Sequence, residues 1–176
     1  MGPGRHLRLE GERIVLRPFR RGELDTWWAA RLHAYAEQPG GPPTREALRT
    51  RLDSSGHLEH GRLDLAIEAD GLLVGEIGTY LPPNRTLPLR WFELGIGLFD
   101  EASRGKGHGT EAVVLFLDWL FEEAGATRVQ AATIPGNAAM RRVLEKLGFV
   151  ADRNIKEGGT EFIVYAVTRG RWSRLR

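Results

Sequence analysis

The spacing of apolar and polar residues divides the chain into strands and helices. Residues 13–19 alternate and start with β-branched side chains, as in a strand, and the apolar positions that follow recur at helical spacing. Residues 63–80 read as two strands joined at Asp70-Gly71, a dipeptide that favours a tight hairpin turn. The pattern predicts further strands over 89–99, 127–134 and 160–169, and helices over 22–32, from Thr44 to 52, from the glycine cluster to about Gly125, and over 137–147.

Hairpins come early in this order and helices alternate with strands late, which predicts an α/β fold with a mixed sheet covered on both faces. The 176 residues suit a single domain, and no repeat or linker interrupts them. The absence of cysteine excludes disulfides, thiolate metal sites and acyl-cysteine intermediates, and the histidines lack metal-ligand spacing. No apolar run is long enough to span a bilayer, so we expect a soluble, cytoplasmic protein without a metal.

The predicted strand over 89–99 has two unlike faces. Phe92, Leu94, Ile96 and Leu98 share one face, whereas Trp91, Glu93, Gly95, Gly97 and Phe99 share the other. Glycine weakens a strand, so two glycines on one face indicate close approach of a ligand or of another backbone, or else a bulge. Glu93 is the one acid on this glycine face and is therefore a candidate general base.

A basic glycine loop, residues 104–109, follows this strand directly. Glycines expose successive backbone N–H groups, and the N-terminus of the following helix favours an anion, so the loop predicts a phosphate site. The spacing fits neither the nucleotide-triphosphate loop nor the dinucleotide fingerprint, since Gly105, Gly107 and Gly109 alternate. A plain surface turn is the alternative.

Two segments together resemble the GNAT acetyltransferase superfamily. Arg104-x-x-Gly107-x-Gly109 is similar to its pyrophosphate loop, and Asn137 followed by Lys146-Leu147-Gly148-Phe149 is similar to its second motif. Residues 11–25 and the Gly-Glu-Ile-Gly of the third strand resemble the subgroup that acetylates the N-termini of ribosomal proteins. The resemblance covers residues 9–168, with tails at 1–8 and 169–176, and implies a mostly antiparallel central sheet flanked by helices.

The resemblance implies acetyl-CoA as co-substrate and a pantetheine arm that pairs with the exposed edge of the strand over 89–99. The loop would hold the pyrophosphate, with Arg104 and Lys106 supplying charge. The residues expected to bind the cofactor are Ile96, Leu98, Phe99, Arg104, Gly105, Lys106, Gly107, His108, Gly109, Thr110, Asn137 and Arg142. For His108 alone, a solvated spacer is the favoured interpretation.

The expected catalytic residues are Glu93 and Asn137. Glu93 would remove a proton from the amine, directly or through one water, unless it forms a structural ion pair with an arginine such as Arg90 or Arg142. Asp100, Glu101 and Glu76 are rival acids, and Glu76 reads either as a surface residue or as a second acid near the pocket. The family's usual proton donors to the leaving thiolate are absent, because this chain has Leu144 and Met140 at those positions.

The leading hypothesis is an N-acetyltransferase that transfers acetyl to a primary amine, on a protein N-terminus or a small molecule, by direct attack in a ternary complex. The alternatives are a non-catalytic acetyl-CoA-binding or ribosome-associated module and an aminoglycoside-like acetyltransferase. The first helix and the proline-rich loops at 37–43 and 81–88 would form the acceptor pocket. Nucleic acid is expected to bind, if at all, through the arginine-rich tail, whose Trp172 otherwise packs back on the body, and a homodimer is left open.

Overall fold

The structure is a computed structural model that describes residues 6–36, 41–80 and 86–176. Its strands are β1 Leu9–Glu10, β2 Ile14–Arg17, β3 Leu63–Ala69, β4 Leu72–Tyr80, β5 Trp91–Leu98, β6 Arg128–Thr133, β7 Val150–Glu157 and β8 Thr160–Thr168. Its helices are α1 Leu24–Tyr35, α2 Arg45–Asp53, α3 His108–Glu122, α4 Ala138–Lys146 and α5 Arg169–Leu175.

All eight strands lie in one sheet in the order β1-β2-β3-β4-β5-β6-β8-β7. Neighbouring strands are antiparallel throughout, except that β5 and β6 are parallel. The crossover between these two strands runs through α3, as a parallel pair requires. The predicted fold, a mixed and mostly antiparallel sheet, is confirmed.

Two apolar clusters cover the two faces of the sheet. The larger cluster joins one stripe of α3, including Phe116 and Leu120, to inward side chains of the central strands and to Leu144 of α4. The smaller cluster joins α1 and α2 to the opposite face through Trp27 and Leu48. Trp27 is fully buried, and its ring stacks on Phe19 with centroids 4.0 Å apart. The predicted helices on both faces are therefore present.

Local sequence signals explain several element boundaries. Asp70 and Gly71 adopt φ values of 50° and 77°, which two-residue turns of the mirror-image type require. Thr44 accepts a hydrogen bond from the Ala47 N–H and caps α2. The first helix begins at Leu24 and ends at Tyr35, so it starts and finishes later than predicted.

Strand β7 has no counterpart in the sequence prediction. Its side chains are mostly exposed and polar, so they lack the alternation that marks a half-buried strand. Pairing with β8 fixes it instead, through a turn at Gly158 and Gly159, both of which have positive φ. Strand pairing alone thus overrides a pattern that indicates no strand.

The segment expected as a basic tail forms α5 for most of its length. Thr168 caps this helix by accepting a hydrogen bond from the Arg171 N–H. Trp172 is 5% exposed, and its indole N–H donates to Asp118 of α3 over 2.8 Å. The end of the chain is therefore packed against the body through an aromatic side chain.

We expect Trp172→Ala to lower the free energy of unfolding by about 3 kcal/mol, because it leaves a cavity between α3 and α5. Urea denaturation followed by circular dichroism measures the loss. Arg174→Ala, an exposed change on the same helix, is the control and should stay within about 0.5 kcal/mol of wild type. Equal stabilities for the two variants would contradict the docking of α5.

Candidate active site

The central feature of the sheet is a gap between β5 and β6. Their pairing stops after Trp91, Phe92 and Glu93, which lie opposite Arg128, Val129 and Gln130. Beyond this point β5 continues with β4 and β6 continues with β8, so the two strands diverge. We call the opening between residues 94–98 and 131–133 the wedge. One edge of β5 thereby presents backbone groups to an extended ligand.

The two glycines of β5 lie beside the wedge on the face covered by α1 and α2. A β-carbon at Gly95 would lie 3.4 Å from the ring of Tyr80, so the missing side chain makes room for that ring. At Gly97 a β-carbon would lie 4.0 Å from Glu76 Oε1, which leaves open space. The nearest atoms at Gly95 belong to a side chain, so the close approach of a ligand or of another backbone stays a prediction.

A row of polar side chains crosses three strands at the narrow end of the wedge. Tyr80 of β4 lies opposite Glu93 of β5, which lies opposite Gln130 of β6. The Tyr80 hydroxyl donates to Glu93 Oε1 over 2.5 Å, and Gln130 Nε2 donates to Glu93 Oε2 over 2.6 Å. Both Glu93 and Gln130 are fully buried. The carboxylate is thus fixed at the apex by a donor on each oxygen.

The orientation of the Gln130 amide follows from its partner. A carboxylate only accepts hydrogen bonds, so the amide NH₂ must face Glu93 and the amide oxygen must face away. That oxygen is buried and has no hydrogen-bond partner among the described residues. The ion pairs among the described residues do not join Glu93 to Arg90 or Arg142, and the Arg142 side chain instead donates to the Ala138 carbonyl. The described residues therefore give Glu93 no ion pair with Arg90 or Arg142, and an ion pair with another arginine stays an alternative.

Glu76 lies next to Gly97 and is 14% exposed at its side chain. Its Oε2 accepts hydrogen bonds from Trp27 Nε1 over 2.5 Å and from an Arg31 terminal nitrogen over 2.7 Å. Arg31 Nε lies 2.7 Å from the other oxygen. Glu76 therefore lies near the wedge, in line with the alternative that made it a second acid near the pocket. The Arg31 guanidinium compensates its negative charge.

Other carboxylates on this face of the sheet are compensated in the same way. Asp64 pairs with Arg51 of α2, and Glu68 pairs with the buried Arg17. Burial pushes the pKa of Glu68 upward, but the hydrogen bonds and charges of Arg17 and Arg20 outweigh it and lower that pKa overall. On the sheet face covered by α1 and α2, the negative charges of these carboxylates are consequently balanced by the positive charges of arginines.

The glycine loop lies at the wide end of the wedge. Gly105 and Gly107 have φ values of 70° and 83°, a left-handed conformation that glycine adopts without steric strain. Gly107 is the residue that precedes α3. A β-carbon at Gly109 would meet Ile96 and Leu98 of β5 at 3.9 Å, so the start of α3 packs directly on that strand. The first backbone N–H groups of α3 have no intrahelical acceptor and suit an anion.

The remaining loop residues divide between exposed and buried. Arg104, Lys106 and the two glycines between Arg104 and His108 are exposed, and Thr110 is half-buried. His108 is 9% exposed, and within the described residues its Nδ1 has no hydrogen-bond partner. The favoured interpretation of His108 as a solvated spacer is therefore wrong. His108 is the first residue of α3 and is one of the buried residues of that helix.

Of the rival acids Asp100 and Glu101, Asp100 has a structural role. Asp100 accepts a hydrogen bond from the Ser103 N–H and caps a single turn of 3₁₀ helix, Glu101–Ser103, that leads into the loop. Hydrogen bonds from Ser103 lower the pKa of Asp100, which makes it a poorer base. Glu101 is exposed beside it.

Asn137 is exposed at the start of α4, where its Oδ1 accepts a hydrogen bond from the Met140 N–H over 3.1 Å. Its predicted role as a helix cap is therefore present in the structure. Leu144 is fully buried in the larger cluster, and Met140 packs against that cluster. Arg142 is exposed on the same helix. Of the predicted cofactor residues, Ile96, Leu98, Phe99 and the loop come together on and after β5, whereas Asn137 and Arg142 follow β6.

Sequence reasoning missed Tyr80 and Gln130. The strands that carry Tyr80 and Glu93 are joined by a proline-rich connection that fixes no register, so the sequence gives no reason to set these two residues opposite each other. Residues 37–40 and 81–85 of the two loops predicted to form the acceptor pocket lie outside the described residues. In the described part of the chain, no group of three or more His, Cys, Asp or Glu could hold a metal ion.

The sequence model of the family described as acetyltransferase (GNAT) domain matches residues 13–150. The chain belongs to the GNAT acetyltransferase family. The chain is 45% identical over 69 residues to the probable N-acetyltransferase YjcK of Bacillus subtilis (strain 168), a match that covers 36% of this chain and 38% of that protein. This relative therefore supports the family and leaves the activity of the whole chain to be proposed.

Two solved structures with coenzyme A share the fold of this GNAT protein. Mycobacterium smegmatis RimJ, in complex with CoA-disulfide, matches with a TM-score of 0.75 and 22% identity over 99% of this chain and 97% of that chain. The aminoglycoside acetyltransferase AAC(6')-Ib, in complex with coenzyme A, matches with a TM-score of 0.73 and 21% identity over 92% and 98%. At such identities the likeness establishes the fold alone. No helix in the described ranges is long and apolar enough to cross a membrane.

The cap and the cofactor role predicted for Asn137 call for different substitutions. Asn137→Asp keeps an acceptor for the Met140 N–H but removes the amide donor, so we expect wild-type stability with weaker coenzyme A binding. Asn137→Ala removes both the acceptor for the Met140 N–H and the amide donor, so it should also lower the free energy of unfolding by about 1 kcal/mol. Thermal denaturation and calorimetry measure the two effects. An Asp variant that binds coenzyme A like wild type would leave Asn137 as a cap alone.

Proposed function

We propose that this GNAT protein is an acetyl-CoA-dependent N-acetyltransferase that acts on a primary amine by direct attack in a ternary complex. The observation that carries the proposal is the wedge, with the glycine loop at its wide end and the Glu93 carboxylate at its apex. Such an arrangement separates an anion-binding end from an acid–base end along one strand. An acyl carrier with a phosphate head and a reactive tail fits both ends.

The loop would hold the pyrophosphate of coenzyme A. The backbone N–H groups of residues 105–110 and the exposed Arg104 and Lys106 supply donors and charge, and the dipole of α3 adds about 0.3–1 kcal/mol. Leu98 lies five residue steps along the strand from Glu93, a run of roughly 17 Å. An extended pantetheine arm along this edge would place its thioester towards the apex, with Ile96, Leu98 and Phe99 beside it and Asn137 and Arg142 across from it.

The chemistry needs one proton acceptor. A primary amine is an ammonium ion near neutral pH, so it gives up one proton to solvent before its nitrogen can attack and a second proton as it attacks the thioester carbonyl. Attack forms the C–N bond, and collapse of the tetrahedral intermediate breaks the C–S bond and releases the coenzyme A thiolate. We assign Glu93 as the final acceptor of the amine proton. The thiolate takes its proton from solvent, since Leu144 and Met140 supply no acid.

The charges near the wedge indicate which class of amine acceptor the protein binds. A polycationic aminoglycoside needs several uncompensated carboxylates, but Asp64, Glu68 and Glu76 are each engaged by an arginine. A peptide N-terminus brings one positive charge and backbone carbonyls that arginines can bind. We therefore propose a protein or peptide N-terminus as the acceptor class, in preference to an aminoglycoside.

The loop assignment predicts the effect of Gly107→Ala. A β-carbon there lies where the phosphate must approach and lowers coenzyme A affinity, with a further cost from its positive φ. Gly125→Ala is the matched control, because Gly125 has φ 75° and open space but lies beyond the far end of α3. Calorimetry should show weaker coenzyme A binding for Gly107→Ala and unchanged binding for Gly125→Ala. Equal affinities would remove the loop from the cofactor site.

The base assignment predicts that Glu93→Gln lowers kcat by about 10²–10⁴-fold with little change in coenzyme A affinity. The acidic limb of the pH–rate profile should disappear as well. Acetyl-CoA turnover is measured against a panel of peptides with free N-termini, simple amines and an aminoglycoside. Near-normal turnover of the variant would reject Glu93, and a preference for the aminoglycoside would reject the acceptor class.

A further inference from the structure

Glu93 is too deeply buried to meet an acceptor amine. Its side chain is 0% exposed, and Tyr80 and Gln130 each cover one of its oxygens with a donor. A base must come within about 3 Å of the proton it removes, or act through one bridging group. A bridging group between Glu93 and the amine is therefore required.

The two side chains that donate to Glu93 among the described residues differ in their ability to bridge. Gln130 is fully buried, and its carboxamide neither gains nor loses a proton near neutral pH. Tyr80 is half-buried, and its hydroxyl carries an exchangeable proton that already points at Glu93 Oε1. Its ring lies against Gly95, one step further toward the open part of the wedge. Tyr80 thus connects the buried Glu93 carboxylate with the wedge.

We propose that the Tyr80 hydroxyl relays the proton from the acceptor amine to Glu93. This inference rests on the proposed acetyltransferase function and deepens it. As the amine nitrogen attacks the thioester carbon, its proton passes to Tyr80 Oη while the Tyr80 proton passes to Glu93 Oε1. Tyr80 is then a neutral hydroxyl again, Glu93 is protonated, and the electron pair of the C–S bond leaves with the thiolate. Reversal of the relay to solvent restores Glu93 after the product departs.

Gln130 is a positioning residue in this scheme. By donating to Oε2 it holds the carboxylate plane so that Oε1 meets the tyrosine hydroxyl. The short contact of 2.5 Å between Tyr80 and Glu93 is already suited to proton transfer, because no rearrangement has to precede it. Gly95 lies beside the tyrosine ring, because a β-carbon there would already lie 3.4 Å from two of the ring carbons.

The test compares Tyr80→Phe with Tyr165→Phe. Both tyrosines donate to a glutamate, but Tyr165 is buried on the other face, where its hydroxyl lies 3.0 Å from Glu145 Oε1. We expect Tyr80→Phe to lower kcat by about 10²-fold with an unchanged coenzyme A Kd, and Tyr165→Phe to leave kcat near wild type. Loss of turnover in both variants alike would make the effect structural and overturn the relay.

Kinetics in mixtures of H₂O and D₂O give a readout that a structural role would not change. Two protons move together in the relay, so the plot of wild-type rate against deuterium fraction should be curved, and the residual rate of Tyr80→Phe should give a straight line. A linear wild-type plot overturns the relay without any variant. Normal turnover of Tyr80→Phe with an inactive Glu93→Gln variant makes water the bridge and leaves the proposed function intact. Normal turnover of both variants rejects the base assignment itself.

Discussion

The divergence of β5 from β6 after Glu93 is the constraint on which the rest of the structure depends. Two strands can separate within a sheet only if each keeps a partner on its other edge, because unpaired backbone groups away from water are costly. Here β4 pairs with β5 as far as Leu98, and β8 pairs with β6 as far as Thr133. The sheet therefore stays continuous while a ligand-sized gap opens at its centre, and α3 bridges the gap on one face.

The gap sets the positions of the chemical groups. Its narrow end lies where the last parallel pair forms, so the side chains at that level, Tyr80, Glu93 and Gln130, are forced into contact. Its wide end lies where β5 turns into the glycine loop, so exposed cations and free helix N–H groups collect there. Under the proposed function, binding energy from a phosphate at the wide end positions a reacting group at the narrow end, where proximity and orientation raise the rate.

Burial of charge around the gap is tolerated because each charge has a partner. Removing a carboxylate from water is costly unless donors or a cation replace the lost solvation. Arginines fill that role for Asp64, Glu68 and Glu76, whereas a phenol and an amide donate to Glu93. Each of these carboxylates thus keeps donors that replace the solvation it loses on burial.

The sequence by itself determined the features that depend on neighbours along the chain. Periodicity predicted most strands and helices, Asp70-Gly71 predicted the hairpin, and Thr44 and Asn137 predicted helix caps. The alternating glycines predicted the loop before α3, where Gly105 and Gly107 have positive φ. Tertiary structure decided what depends on pairing between distant strands. The register of β4 on β5 set Tyr80 against Glu93, pairing with β8 made a strand of the polar segment β7, and helix packing buried His108 and Trp172. Such contacts follow from the relative placement of whole elements, which no local pattern of residues encodes.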